Sequence, residues 1–469
     1  MRRARRGLLA AVVAVCFVAV AAAAPPPDLL VFLADDLGWR DLGCTGSTFY
    51  RTPAIDRLAA DGMRFTRAYA SCPVCSPTRA ALVTGRHPVR VGITNFIGKA
   101  GTERRGRLLP AEYLRALPDD EVTVAELLRD VGFGTGVFGK WHLGPPADIP
   151  LHGFDVAACT TVGPGTGPAD DPHHARAIAA AAADFIAAAG PRPFFCYVPL
   201  HSVHTPLASR ADFVAEEKSR AAGLPPPVGP REVPEGDRTA RGVQDLPVYA
   251  AMIREMDETV AAVLAAVDAA GKRDSTLVVF TSDNGGLSTA EGSPTSNLPL
   301  RAGKGYLYEG GVRVPLIVRW PGVVRPGATT DVPVTTLDVA ATLLDAGGVR
   351  VTADTVLDGA SLGPLLSGVG PPPSRDLVWH YPHYSNQGGR PAGALLAGDG
   401  PAAGSEKIVE HFEDGRVELF DLAADPGESR DLAAERPERT AELRGRLHAW
   451  RDRMGASMPR GDREPNRGP

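Results

Sequence analysis

Cys75 and Arg79 stand where a reactive side chain could meet an anion. They belong to Cys72-Pro73-Val74-Cys75-Ser76-Pro77-Thr78-Arg79-Ala80-Ala81-Leu82-Val83-Thr84-Gly85-Arg86. Pro77 suits the first turn of a helix, Ala80 to Val83 propagate it, and Gly85 ends it. Cys75 and Ser76 then occupy the helix start, where free N–H groups and the helix dipole favour negative charge. Arg79 lies about one turn further on and can point back toward Cys75. The plainer reading is an inert structural cysteine before a helix, so the other polar residues of the chain decide.

Asp35-Asp36 and Asp283-Asn284 each follow an apolar run that reads as a buried strand. Two adjacent acids at a buried strand end are costly unless something compensates them. Either pair alone reads as a solvated turn; jointly they favour a metal. All four are oxygen donors with no accompanying Cys/His set of zinc type, which selects Ca²⁺ or Mg²⁺. Lys140, His142, His204 and Lys304 fall, like Arg79, beside predicted strands or helices. Five such residues converging on one edge would make an oxyanion pocket. With a doubly charged cation they could hold a tetrahedral anion and its developing charge.

Cys75-Ser76-Pro77-Thr78-Arg79 fits the C-x-P-x-R signature of the sulfatases, with Leu82-Val83-Thr84-Gly85-Arg86 as its continuation. Cys72, followed by Pro73-Val74, does not fit. Asp35-Asp36-Leu37-Gly38 and Ser282-Asp283-Asn284-Gly285 resemble that family's two metal motifs. Gly139-Lys140-Trp141-His142-Leu143-Gly144 matches its GKWHLG segment, and Val203-His204-Thr205-Pro206 resembles its H-x-P segment, favouring His204 over His201. Leu300 to Lys304 with Glu309 to Arg313 resembles the later lysine motif, and Glu418 to Leu422 with Asp425 to Glu428 the C-terminal strand and turn. The likeness is to the arylsulfatase and N-acetylgalactosamine-4-sulfatase type, within the alkaline phosphatase superfamily.

The resemblance implies that a formylglycine-generating or anaerobic sulfatase-maturating enzyme converts Cys75 to formylglycine, an aldehyde. One hydroxyl of its hydrate, on the metal and oriented by Arg79, would attack sulfur. His204 and Lys304 would assist the leaving alcohol, and His142 would take the proton of the second hydroxyl to release sulfate. Lys140 would bridge the Asp and formylglycine oxygens and the sulfate. The metal ligands implied are Asp35, Asp36, Cys75, Asp283 and Asn284. The substrate would be a sulfated carbohydrate or aryl sulfate. A phosphodiesterase or phosphonate monoester hydrolase of the same superfamily, or an inactive carbohydrate-binding homologue, are the competing readings.

The elements that must position these residues alternate. Strands are expected at Asp28–Ala34, Thr135–Phe138, Phe194–Leu200, Thr276–Thr281 and Val314–Val318, and helices open near Pro53, Pro172 and Leu337. Thr123 to Glu126 is a capping box. Leu246 to Ala270 carries Met252, Met256, Val260, Val263 and Val267 on one stripe. This predicts an α/β fold, a large mostly parallel sheet flanked by helices on both faces, with ligands off the strand C-termini. Residues 98–118 and 221–237 read as loops. A smaller C-terminal α+β domain is expected over 371–456, with a hairpin around Asp414-Gly415 and a helix from Pro437 to Met454. The aromatic and histidine cluster Trp379 to Tyr384 reads as a loop that lines a sugar-binding rim or packs between domains. A flexible tail is expected from 457 to 469.

Length, 469 residues, suffices for both domains, and the net charge of −5 with no basic stripe beyond the N-terminus argues against a nucleic-acid partner. Arg2, Arg3, Arg5 and Arg6 precede an apolar run from Gly7 to Ala24 that ends in small residues. Residues 1–24 read as a signal peptide rather than an uncleaved anchor, making the protein exported, periplasmic or secreted, with no stable membrane span after signal removal. The catalytic domain then covers 25–370. Besides Cys16 and Cys75, four cysteines remain, which allow three pairings or none.

Overall fold

The apolar run Asp28–Ala34 forms the expected strand, and all of it is buried. The computed structural model describes residues 25–98, 106–352, 355–399 and 404–461. The signal peptide expected over 1–24 lies outside them, as does most of the expected tail.

Alternate residues of this strand feed two different cores. Leu29, Val31 and Leu33 join one apolar cluster; Leu30, Phe32 and Ala34 join the other. A strand buried on both faces belongs at the centre of a sheet covered by helices. Among the described residues that sheet has nine strands. Asp28–Ala34 pairs in parallel with Phe194–Pro199 on one side and Thr276–Ser282 on the other. Gly134–Phe138 and then Val156–Ala158 extend it beyond Phe194–Pro199. The Pro247–Ala269 helix lies on one face, its stripe of Met252, Met256, Val260, Val263 and Val267 buried as the period requires.

One strand runs against the rest. Arg313–Arg319 is antiparallel to both Thr276–Ser282 and Met63–Tyr69. Met63–Tyr69 itself escapes the sequence reading because Arg64 and Arg67 interrupt its apolar residues. Its inner positions are buried and the arginines only half-buried. The 221–237 stretch is more ordered than a loop: it takes in the end of the Ala211–Ala222 helix and one arm of the Glu232–Glu235/Arg238–Arg241 hairpin. The Ala-rich helix starts at Ala175 rather than Pro172. Among the described residues no helix is long and apolar enough to cross a membrane.

The C-terminal region forms a separate four-stranded antiparallel sheet, backed by the Pro437–Met454 helix. Leu377–Tyr381 is one of its strands, so the Trp379 to Tyr384 cluster is no exposed loop. Trp379 donates its indole N–H to the Ala70 carbonyl at 2.8 Å, and Tyr381 its hydroxyl to Asn95 Oδ1 at 3.0 Å. Both rings therefore pack between the domains. Residue 457 does not begin a free tail either: Arg460–Gly461 pairs with Leu108–Leu109.

A buried charge cluster joins the two domains. Lys407 Nζ lies 2.9 Å from Glu309 Oε1 and 2.9 Å from Glu428 Oε1, and Glu428 Oε2 accepts from Glu309 N at 2.6 Å. One lysine serves two buried carboxylates. Burial, with the charge of Glu309 behind it, lifts the Glu428 pKa to about 7 despite Lys407. An acid raised by folding gives a contribution that is full below its unfolded pKa of about 4.3. That contribution is lost as pH rises to about 7. Glu428→Gln keeps the neutral form at every pH. Its stability relative to wild type should rise by on the order of 2 kcal/mol between pH 5 and pH 8 in urea unfolding. Parallel pH profiles would contradict this.

Candidate active site

Asp35-Asp36 and Asp283-Asn284 converge because their strands are neighbours. Ala34 lies opposite Ser282 in the parallel ladder, so both acidic segments leave the sheet side by side. Asp36 N donates to Asp283 Oδ1 at 3.2 Å, and Asn284 Nδ2 to Asp36 Oδ1 at 2.9 Å. Asp36 has φ 65°, the left-handed region that non-glycine residues rarely use. Backbone strain of this kind gathers at functional sites.

Three cations face these three carboxylates. Arg79 is wholly buried. Its Nε and Nη2 donate to Asp283 Oδ2 at 2.9 and 2.7 Å, and its Nη1 to the Lys140 carbonyl at 2.7 Å. Lys140 Nζ donates to Asp35 Oδ2 at 2.5 Å, and Lys304 Nζ lies 2.7 Å from the Asp36 carboxylate. Burial alone would raise the Asp35 pKa, but Lys140 first, then His204, Arg79 and Lys304, hold it well below the usual carboxylate range. Against the same burial, Lys304 leads in lowering Asp36. Asp283 goes the other way: burial and the charge of Asp35 push it up despite Arg79.

The donor set fits a hard divalent cation. Asp35 Oδ1 and Asn284 Oδ1 are buried oxygens with no hydrogen-bond partner among the described residues. A buried polar atom left without a partner is costly, and a cation answers both. Asp35, Asp36 and His204 bring ligand atoms within 4.8 Å of one another. His204, read from sequence only as a catalytic residue, thus also borders this cluster. Its Nδ1 donates to the Thr205 carbonyl at 2.7 Å, leaving Nε2 free at 3.7 Å from Asp36 Oδ2.

A cavity of about 480 Å³ opens beside the cluster, lined by Cys75, Lys140, His142, His201, His204 and Lys304 among others. Cys75 is the first residue of the Cys75–Thr84 helix, with Gly85 left-handed at its C-terminus, as the sequence predicts. Thr78 Oγ1 accepts from Cys72 N and donates to the Cys72 carbonyl, both at 3.1 Å, which fixes the turn and gives Cys72 a structural part. Lys140 is placed by its backbone N–H on the Pro199 carbonyl at 2.7 Å. The residue before it must be glycine: a Cβ on Gly139, at φ 123°, would meet that carbonyl oxygen at 2.1 Å. On the opposite side, Gly305 N donates to the Pro73 carbonyl at 2.8 Å and ties the Lys304 loop to the Cys75 loop.

His142 is held as a neutral base. Its Nε2 donates to the Ile97 carbonyl at 2.7 Å, so the lone pair sits on Nδ1, which is buried without a partner among the described residues. Burial first, then Lys140 and Arg79, lower its pKa to about 3. Arg79 stays within electrostatic reach of Cys75 but directs its hydrogen bonds elsewhere. Its fork is taken up by Asp283 and the Lys140 carbonyl, because a buried guanidinium goes to the carboxylate that can pair with it. Sequence reasoning passed over His201 in favour of His204 and missed Glu291, Asn386 and Gln387 in the cavity wall. His201 was legible as the first histidine of His201-x-x-His204; the others lie in polar loops with no periodic signal. The described cysteines, Cys44, Cys72, Cys75, Cys159 and Cys196, are all free thiols.

Comparison with known proteins finds relatives over nearly the whole chain. The Sulfatase family model matches residues 27–349, and a model described as N-sulphoglucosamine sulphohydrolase, C-terminal, matches 302–453. Arylsulfatase A of Homo sapiens is 33% identical, covering 92% of this chain and 87% of that protein. Steryl-sulfatase of Mus musculus is 32% identical, covering 89% and 80%. The crystal structure of Ps i-CgsB in complex with k-i-k-neocarrahexaose is similar with a TM-score of 0.73 and 25% identity, over 91% of this chain and 92% of that one.

Proposed function

This chain belongs to the sulfatase family and is a sulfuric ester hydrolase, and from there we propose that it removes sulfate from a carbohydrate through an aldehyde made from Cys75. The observation that carries this is the convergence of Cys75, Lys140, His142, His204 and Lys304 on one cavity beside two orphaned buried oxygens. Asp35, Asp36, Asp283 and Asn284 would hold Ca²⁺ or Mg²⁺, with the Cys75-derived group beside them. The cation would supply positive charge for sulfate oxygens and for the nucleophile. The neocarrahexaose bound to Ps i-CgsB supports a carbohydrate substrate here. The basic, then apolar, residues 1–24 support export to the periplasm or beyond. A maturating enzyme would have to reach Cys75 before the helix and cavity close over it.

The residues divide the work. Were Cys75 converted to formylglycine, its hydrate would supply two hydroxyls, one for displacing the alcohol at sulfur and one for releasing the sulfate. Lys140 and Lys304 sit on the Asp35 and Asp36 carboxylates at the cavity wall, where they can share their protons with sulfate oxygens. Lys304 is positioned to protonate the departing alcohol, and His204, whose ring proton on Nδ1 goes to the Thr205 carbonyl, can join it from Nε2 only as the imidazolium. His142 Nδ1 is the free lone pair for the proton released in the second step. Arg79 acts from behind, as a positioning residue that pairs with Asp283 and holds the Lys140 carbonyl in place.

Parallel assays test the reading against its superfamily rival. The matured, metal-loaded protein should hydrolyse 4-nitrophenyl sulfate with a kcat/KM at least about 100-fold above that for bis(4-nitrophenyl) phosphate. Preference for the phosphodiester would overturn it.

A further inference from the structure

Glu291 is the one carboxylate among the described residues lining the cavity. The other acids of the site are paired with Arg79, Lys140 and Lys304. A negative charge at an anion-binding cavity opposes the sulfate that must enter. Its use therefore lies with the other half of the substrate.

The side chain is exposed yet held from two directions. Thr205 Oγ1 donates to its Oε2 at 3.2 Å, and Gln387 Nε2 to its Oε1 at 2.5 Å. Gln387 is buried and comes from the C-terminal domain, where its own N–H donates to Ser385 Oγ at 3.0 Å. A carboxylate accepts about four hydrogen bonds, so Glu291 keeps capacity for a ligand. Phe96, Ile97, Val162 and Pro164 give the same cavity an apolar lining. Together they suit an alcohol with one apolar face and one edge of donors.

We infer that Glu291 selects that alcohol. It accepts hydrogen bonds from hydroxyl or ammonium groups of the leaving half and rejects leaving groups that carry a second anion near the scissile sulfate. This rests on the proposed use of the cavity and narrows it: the sugar bearing the sulfate is otherwise neutral or aminated. Two like charges about 6 Å apart in a partly screened cavity disfavour binding by about tenfold.

The test compares 4-nitrophenyl sulfate with a ring-carboxylated analogue of matched leaving-group pKa, using matured wild type, Glu291→Gln and Glu291→Lys. Wild type should prefer the neutral ester in kcat/KM. Glu291→Gln should reduce that preference about tenfold, and Glu291→Lys should reverse it. The same ratio is read as dissociation constants in a Cys75→Ala background, which needs no turnover. An unchanged ratio in both folded variants, by either readout, would overturn the inference. Absent turnover with a shifting binding ratio would sink the catalytic reading and leave the selectivity standing.

Discussion

Cys75→Ala should fold normally and lose sulfatase activity by about 10⁵-fold or more, as expected when an enzyme nucleophile is removed. The fold should survive because the helix does not depend on this sulfur. Gly85 closes the helix, the Thr78–Cys72 pair fixes its entry, and Ser76 Oγ accepts from Ile97 N at 3.0 Å. Losing one buried sulfur costs about 1 kcal/mol. Cys75→Ser sharpens the test. A serine hydroxyl can take sulfate once, but it has no second hydroxyl to expel it, so that variant should stop at one equivalent. Circular dichroism and a turnover assay on the same preparation separate misfolding from chemistry. Retained turnover in Cys75→Ala would refute the assignment of the nucleophile.

Asp283→Ala should be nearly as damaging, for a different reason. Asp283 Oδ2 receives two of the hydrogen bonds of the fully buried Arg79, and Oδ1 receives the Asp36 N–H. Removing it strands a buried guanidinium and an amide together. Breaking one side of a buried ion pair costs about 3–5 kcal/mol. It also removes one of the oxygens that fit a divalent cation. The variant should melt several degrees below wild type and be inactive. EDTA should lower the melting temperature of wild type and barely move that of the variant. Equal sensitivity of the two proteins to EDTA would place the cation elsewhere.

Both predictions depend on parts of the site that differ in how they could be read. The acids were legible because each ends a continuous apolar run, and such runs become parallel neighbours in a sheet covered on both faces. The Cys75 helix was legible from Pro77 and Gly85, which mark its two ends. The partner of Arg79 was not. It depends on the register that sets Ala34 opposite Ser282, and no local pattern encodes a contact between residues so far apart in the chain. The direction of the Arg313–Arg319 strand, itself expected over Val314–Val318, was hidden for a related reason: the long connection from Ser282, which carries Lys304, allows either direction. Glu291 and Gln387 come from polar loops of different domains, and only the packed interface brings them together. The Trp379 and Tyr381 rings, read equally as rim or packing, turned out to be packing because both lie on a strand.

The central claim is that the working residue at position 75 is an aldehyde, and the mass of the peptide spanning residues 72–86 tests it most directly. In a preparation that hydrolyses aryl sulfate, that peptide should have lost one sulfur and two hydrogen atoms and gained one oxygen at Cys75. An active preparation whose peptide carries only the intact thiol would contradict the account.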